Sequence, residues 1–131
     1  MNFDPVGRTP QGEYYMKFRK PFNATEKIQL LQRSILVHSF AYYEIDQNIA
    51  PDYIYDNNAK QLVELMRRYP EESKRSRYYT YFKDFCSEDE NIHYVSGFDL
   101  LEKVRKSDQE LYRHIDIDAT LALRLKDRCY A

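Results

Sequence analysis

Tyr42-Tyr43-Glu44-Ile45-Asp46-Gln47-Asn48-Ile49-Ala50-Pro51-Asp52-Tyr53-Ile54-Tyr55-Asp56 lies between two stretches of helical periodicity. Upstream, Asn23 and Glu26 stand at capping-box spacing. Leu31, Ile35, His38 and Tyr42 then recur at intervals of three and four, with Ile28, Leu36 and Phe40 alongside, which predicts a helix from Asn23 to about Ile45. Downstream, Pro51 suits the first position of a second helix, where its missing N–H is no loss. Asp52 and Asp56 place negative charge against the positive end of that helix's dipole. Tyr55, Ala59, Leu62, Leu65 or Met66, and Tyr69 continue one apolar face until Pro70 stops it. With only Asp46 to Ala50 between them, the two helices read as an αα-hairpin.

Working outward, residues 1–22 hold Pro5, Pro10 and Pro21 with Gly7 and Gly12, an irregular lead-in in which Glu13 to Phe18 reads as a short extended piece. After the hairpin, a third helix is expected from Glu71 to Cys86, with Tyr78, Tyr81, Phe82 and Phe85 turned inward. An acidic loop, Ser87 to Asn91, follows. Ser96-Gly97-Phe98-Asp99 is a cap signal for a helix through Leu100, Leu101 and Val104. Ser107-Asp108-Gln109-Glu110 is a second one, and Asp116 to Asp118 is expected to break the chain again before Leu121 to Leu125. The expected fold is all-α and a single domain over residues 1–131. It divides into the lead-in, a hairpin over residues 23–72, and an extension of about three further helices over residues 73–131.

Composition narrows the function. A chain of 131 residues can bury roughly two-thirds of its unfolded surface, which suffices for a core without staples. Twenty basic against 21 acidic residues, a formal charge of −1, argues against a cationic coat for nucleic acid or membrane. The three glycines are too far apart for a phosphate-binding glycine loop. Cys86 and Cys129 make neither a disulfide framework nor a four-thiolate zinc site. The absence of an apolar leader or spanning stretch gives the expectation of a cytoplasmic protein. Thirteen tyrosines with no tryptophan suit a core with polar edges, an interface, or a site for planar rings.

The stretch from His38 to Glu71 resembles the N-terminal Ia subdomain of bacterial NAD-dependent DNA ligases. It carries the tyrosine pair Tyr42-Tyr43, the set Pro51-Asp52, Tyr55-Asp56, and a leucine-bearing helix ending at Tyr69-Pro70-Glu71, without a gap over about a quarter of the chain. In that family the subdomain closes over NAD and holds its nicotinamide mononucleotide half. The resemblance implies that Tyr42 and Tyr43 meet the nicotinamide ribose-phosphate and that Asp52, Tyr55 and Asp56 form the acidic and aromatic opening of the second helix. The residue types suit that task. Tyrosine faces attract a pyridinium by about 0.5–2 kcal/mol, and carboxylates accept hydrogen bonds from ribose hydroxyls. Asp52 and Asp56, four apart, share one helical face with Tyr55 beside them. The same residues also serve as hairpin packing and helix-start charge, and residue types alone leave both readings open.

Two departures are equally informative. The connector Gln47-Asn48-Ile49-Ala50 lacks the proline that the ligases usually carry. No Lys-x-Asp-Gly occurs, so the lysine that accepts AMP is missing, and the remaining residues have no room for the ligases' other domains.

Other candidates are weaker. The basic and aromatic run Lys74 to Lys83 reads as a single-stranded nucleic-acid surface, as a phosphate clamp through Arg75 or Arg77, or as a solvated helix edge; near-zero net charge makes nucleic acid the weakest of these. His38 lies one turn before Tyr42 and edges the same face. His38, His93 and His114 have no partners at metal-motif spacing, so no metal site is expected. Cys86 and His93 lack anything that would make them a nucleophile and base.

The expectation is a non-catalytic binder of a nicotinamide or ADP-ribose nucleotide with no required cofactor. Its ligand would be nicotinamide mononucleotide, NAD or an ADP-ribose derivative. Small relatives of the subdomain resemble phage proteins, which extends the expectation to a sponge for an NAD-derived immune signal in host cytoplasm, its pocket closed by a second subunit. The alternative is a tyrosine-rich module that kept the hairpin, lost the pocket and binds a host protein. An enzyme splitting NAD is the third and least favoured.

Overall fold

The structure is a computed structural model that describes residues 6–8, 14–16, 22–85 and 95–130, with side chains described over 22–85 and 95–126. In the lead-in, β1 (Val6–Arg8) pairs antiparallel with β2 (Tyr14–Met16), Gly7 opposite Tyr15. The second strand is the extended piece expected around Tyr14. Every later element among the described residues is a helix, and the fold is all-α in its body.

The first long helix, α1 (Ala24–Glu44), begins at the expected cap: Asn23 Oδ1 accepts from Glu26 N at 2.9 Å, and Glu26 Oε1 accepts from Asn23 N at 3.2 Å. Its far end closes where the amides of Ile45 and Gln47 both reach the Ala41 carbonyl. Asp46 supplies the left-handed turn there, with φ of 59°, a conformation that a short polar side chain tolerates. Pro51 then serves as the N-cap of α2 (Asp52–Arg68), one position earlier than expected.

The expected third helix is two pieces instead, α3 (Pro70–Lys74) and α4 (Tyr79–Phe82). Ser76 accounts for the interruption. Its hydroxyl donates to the Ser73 carbonyl at 2.5 Å and accepts from the buried Gln32 amide at 3.1 Å, giving the backbone a local alternative to helical bonding. Tyr78, Phe82 and Phe85 still face inward. Cys86, His93 and the acidic loop lie outside the described residues.

Ser96 caps α5 (Gly97–Ser107) by accepting from Asp99 N, and Asp108 accepts from Leu111 N at the start of α6 (Gln109–Tyr130). The expected break at Asp116 to Asp118 does not occur. Leu111, Ile115, Ala119 and Leu123 form an unbroken buried row at intervals of four. Asp118 is drawn to Arg33, whose guanidinium donates to it at 2.5 and 3.0 Å. A sequence dense in aspartate therefore stays helical because its apolar period is continuous, Asp118 is held by Arg33 of α1, and Asp116 accepts from Thr120 one turn on in the same helix.

Helix α1 is the spine. It contacts α2, α3, α5 and α6, and its Ile28, Ile35, Leu36 and Phe40 meet Leu62 and Met66 of α2, Leu100 and Val104 of α5, and the α6 row in one core. The extension therefore packs on the hairpin rather than trailing from it. Among the described residues no helix is long and apolar enough to cross a membrane.

Candidate functional site

The end of α1, the connector and the start of α2 enclose a cavity of about 340 Å³. Three turns of sequence logic meet there. His38, Ser39, Tyr42 and Tyr43 enter from the last two turns of α1, and Asp52, Tyr55 and Asp56 from the first turns of α2. Helical spacing puts each group on one side of its helix, and the hairpin turns the two sides toward each other. Asn48, Ile49 and Ala50 of the connector close the third wall.

Six residues singled out in the sequence, His38, Tyr42, Tyr43, Asp52, Tyr55 and Asp56, thus line one cavity. Arg75 and Arg77 do not. Arg75 is exposed and pairs with Glu72 at 3.4 Å. Arg77 lies over the Tyr78 ring at 5.6 Å and opens on a second cavity with Arg33, Asp108 and His114. The break at Ser76 directs that segment along a different part of α1, where the Arg77 amide donates to Gln29. A phosphate clamp from this stretch to the tyrosine cavity is therefore not what the fold builds. Ser39 and the connector residues were missed. The signal for them was position alone: Ser39 is one turn before Tyr43, and the connector joins two marked sets.

Electrostatics divide the cavity. Asp52 and Asp56 are exposed at its mouth, and neither has a side-chain hydrogen bond or ion pair among the described residues. Burial pushes the Tyr55 hydroxyl above the usual tyrosine range, Tyr43 and Asp56 adding to the effect and the Ser39 hydroxyl opposing it. Tyr55 is thus a neutral donor. Ser39 is 2% exposed, and its oxygen makes no well-formed hydrogen bond. Lys126 of α6 reaches the connector and donates to the Asn48 carbonyl. The result is an aromatic cavity with carboxylates at its mouth and a lysine beside its third wall. That arrangement suits a positively charged planar ring bearing hydroxyls.

Burial also holds the His38 imidazole below its ordinary value. The unfolded chain therefore takes up this proton at a higher pH than the folded one. The stability it contributes is complete above about 6.5, the ordinary histidine value, and is lost as pH falls from there through the lowered folded value. Denaturant titrations of His38→Gln between about pH 7 and pH 5 should show a flatter decline than those of the parent protein. An unchanged slope would place the acid sensitivity elsewhere.

Comparison with known proteins agrees with this geometry. Residues 21–76 match the family model described as DNA ligase-like, N-terminal NAD+-binding domain. A DNA ligase of Thermoanaerobacter sp. (strain X514) is 41% identical over 46 residues, which is 35% of this chain and 7% of the ligase. A DNA ligase of Thermoanaerobacter pseudethanolicus (strain ATCC 33223 / 39E) matches to the same extent. The chain thus spans only about 7% of the length of these curated relatives. No solved structure matches. The segment holding α1, the connector and α2 is thus the part of the chain similar to a DNA ligase-like N-terminal NAD+-binding domain, and the cavity lies wholly within it.

Proposed function

We propose that this chain binds a nicotinamide nucleotide in the α1–α2 cavity and carries out no chemistry on it. The observation that carries the reading is the convergence of Tyr42, Tyr43, Tyr55, Asp52 and Asp56 on one cavity inside the segment that matches the NAD+-binding domain. Tyr42 and Tyr43 provide aromatic faces for the pyridinium, and Asp52 and Asp56 accept from ribose hydroxyls while offsetting the ring's charge. The Tyr55 hydroxyl donates from the wall. Lys126, bonded to the connector carbonyl of Asn48, would meet phosphate at the cavity's edge. The non-catalytic reading is supported by the lack of Lys-x-Asp-Gly in the sequence.

Binding without turnover suits sequestration. A pocket of this kind, abundant in a phage-infected cell, would act as a sponge for an NAD-derived signal, and a second subunit over the exposed aromatics would tighten it. A protein-binding role has its own supporting observation, the exposed Ile117, Leu121 and Leu125 at intervals of four on α6. None of these three residues belongs to the matched segment or lines the cavity.

The test is calorimetric titration with nicotinamide mononucleotide, NAD and ADP-ribose, with the NAD sample then assayed for free nicotinamide. Saturable binding of a nicotinamide-bearing ligand without nicotinamide release is expected. Release would make the chain an NAD-splitting enzyme. No heat with any ligand would leave the hairpin as scaffold.

A further inference from the structure

The cavity is small for a dinucleotide. At about 340 Å³ it stands at the low end of the roughly 300–1,000 Å³ range of pockets that enclose drug-sized ligands. One nucleotide fills such a space. The second half of a dinucleotide would have to lie outside it, and what lies immediately outside is aromatic. Tyr43, on the cavity wall, packs edge-on against Tyr42 at 4.8 Å between ring centroids and against Phe98 at 5.7 Å.

Phe98 is the unusual member. It belongs to α5, outside the residues matched to the NAD+-binding domain. The core side of α5 is supplied by Leu100, Leu101 and Val104, so Phe98 is not needed there, and it remains 46% exposed. Together with Tyr42 and Tyr43, 53% and 46% exposed, it makes a continuous aromatic patch running outward from the cavity. Contiguous exposed apolar surface of this kind marks a contact site more often than a single exposed ring does. Its position is also fixed. A side chain on the preceding residue, Gly97, would meet Ser39 Oγ at 2.2 Å and Ser39 Cβ at 2.9 Å, so α5 lies closer to α1 than any residue but glycine permits. That close approach sets Phe98 beside Tyr43.

We infer that Phe98, with Tyr43, is the shelf on which the second planar ring of a pyrophosphate-linked dinucleotide stacks, while the nicotinamide half occupies the cavity. The inference rests on the nucleotide-binding reading above and adds a ligand class to it: dinucleotide in preference to mononucleotide. Stacking on an aromatic face tolerates any base, so the shelf confers affinity rather than selectivity among bases.

The experiment compares NAD and nicotinamide mononucleotide on the intact chain, Phe98→Ala and Phe98→Tyr. The chain is expected to bind NAD more tightly than the mononucleotide. Phe98→Ala should weaken NAD by about tenfold, within the range for a base on an aromatic side chain, and leave the mononucleotide unchanged. Phe98→Tyr should keep the NAD affinity. Equal loss for both ligands would overturn the shelf, since Phe98 would then act only by holding Tyr43 at the cavity. Mononucleotide binding with no effect of Phe98→Ala on NAD would overturn it while leaving the cavity reading intact. Failure of the unaltered chain to bind either ligand would remove both.

Discussion

Gly97→Ala is expected to destabilise the fold by about 1–3 kcal/mol, the usual cost of forcing a methyl into a close-packed contact. The expectation runs against the local rule. Gly97 opens α5, and alanine at a helical position ordinarily stabilises by about 0.4–1 kcal/mol through the unfolded state. Contact decides the sign. Rotation of the Ser39 hydroxyl could relieve the 2.2 Å approach, but Ser39 Cβ at 2.9 Å is anchored to the α1 backbone, and Tyr55 Oη stands at 3.2 Å. The helix must therefore retreat, taking Phe98 away from Tyr43. Ser39→Gly removes both offending atoms. On that background Gly97→Ala should add little to the roughly 1 kcal/mol that a glycine costs inside α1. A double-mutant cycle by urea denaturation checks this, and additive losses would show that α5 is not seated by the contact.

The double variant Asp52→Asn, Asp56→Asn carries the second large effect. Each exchange keeps the shape of the side chain and removes its charge. Among the described residues Asp52 and Asp56 have no ion pair or side-chain hydrogen bond to lose, so the fold should change only by the weakened helix-dipole term, about 0.3–1 kcal/mol at Asp52. Ligand binding should suffer far more. A hydrogen bond to a charged group contributes about 1.5–3 kcal/mol, so loss of one such contact lowers affinity by about 10- to 150-fold. Titration of the variant with nicotinamide mononucleotide measures it. Affinity within threefold of the parent's would mean that the carboxylates serve only as helix-start charge.

The hairpin was legible because its signals are local and agree with one another. The Asn23 and Glu26 capping box, the apolar period through Ile35, and Pro51 before Asp52 each point to the same boundaries, and the structure places them within a residue or two. The cavity was legible through the resemblance to the ligase Ia subdomain, which marks Tyr42, Tyr43, Asp52, Tyr55 and Asp56, whereas their types and helical spacing alone left hairpin packing equally open. What escaped depends on distant partners. Ser76 breaks the expected third helix through a bond to Gln32. Asp118 fails to break α6 in the company of Arg33. Arg75 and Arg77 follow the broken segment away from the cavity, and Phe98 approaches it from a part of the chain that carries no matching motif. None of these is readable from neighbours in sequence.

The central claim, that a nicotinamide nucleotide occupies the α1–α2 cavity, is tested most directly by the tyrosine ring signals in an NMR titration with nicotinamide mononucleotide. The resonances of Tyr42, Tyr43 and Tyr55 are expected to shift together and saturate, while those of Tyr78 and Tyr112 stay in place. Shifts confined to Tyr78, at the second cavity, or the absence of any saturable shift would contradict the account.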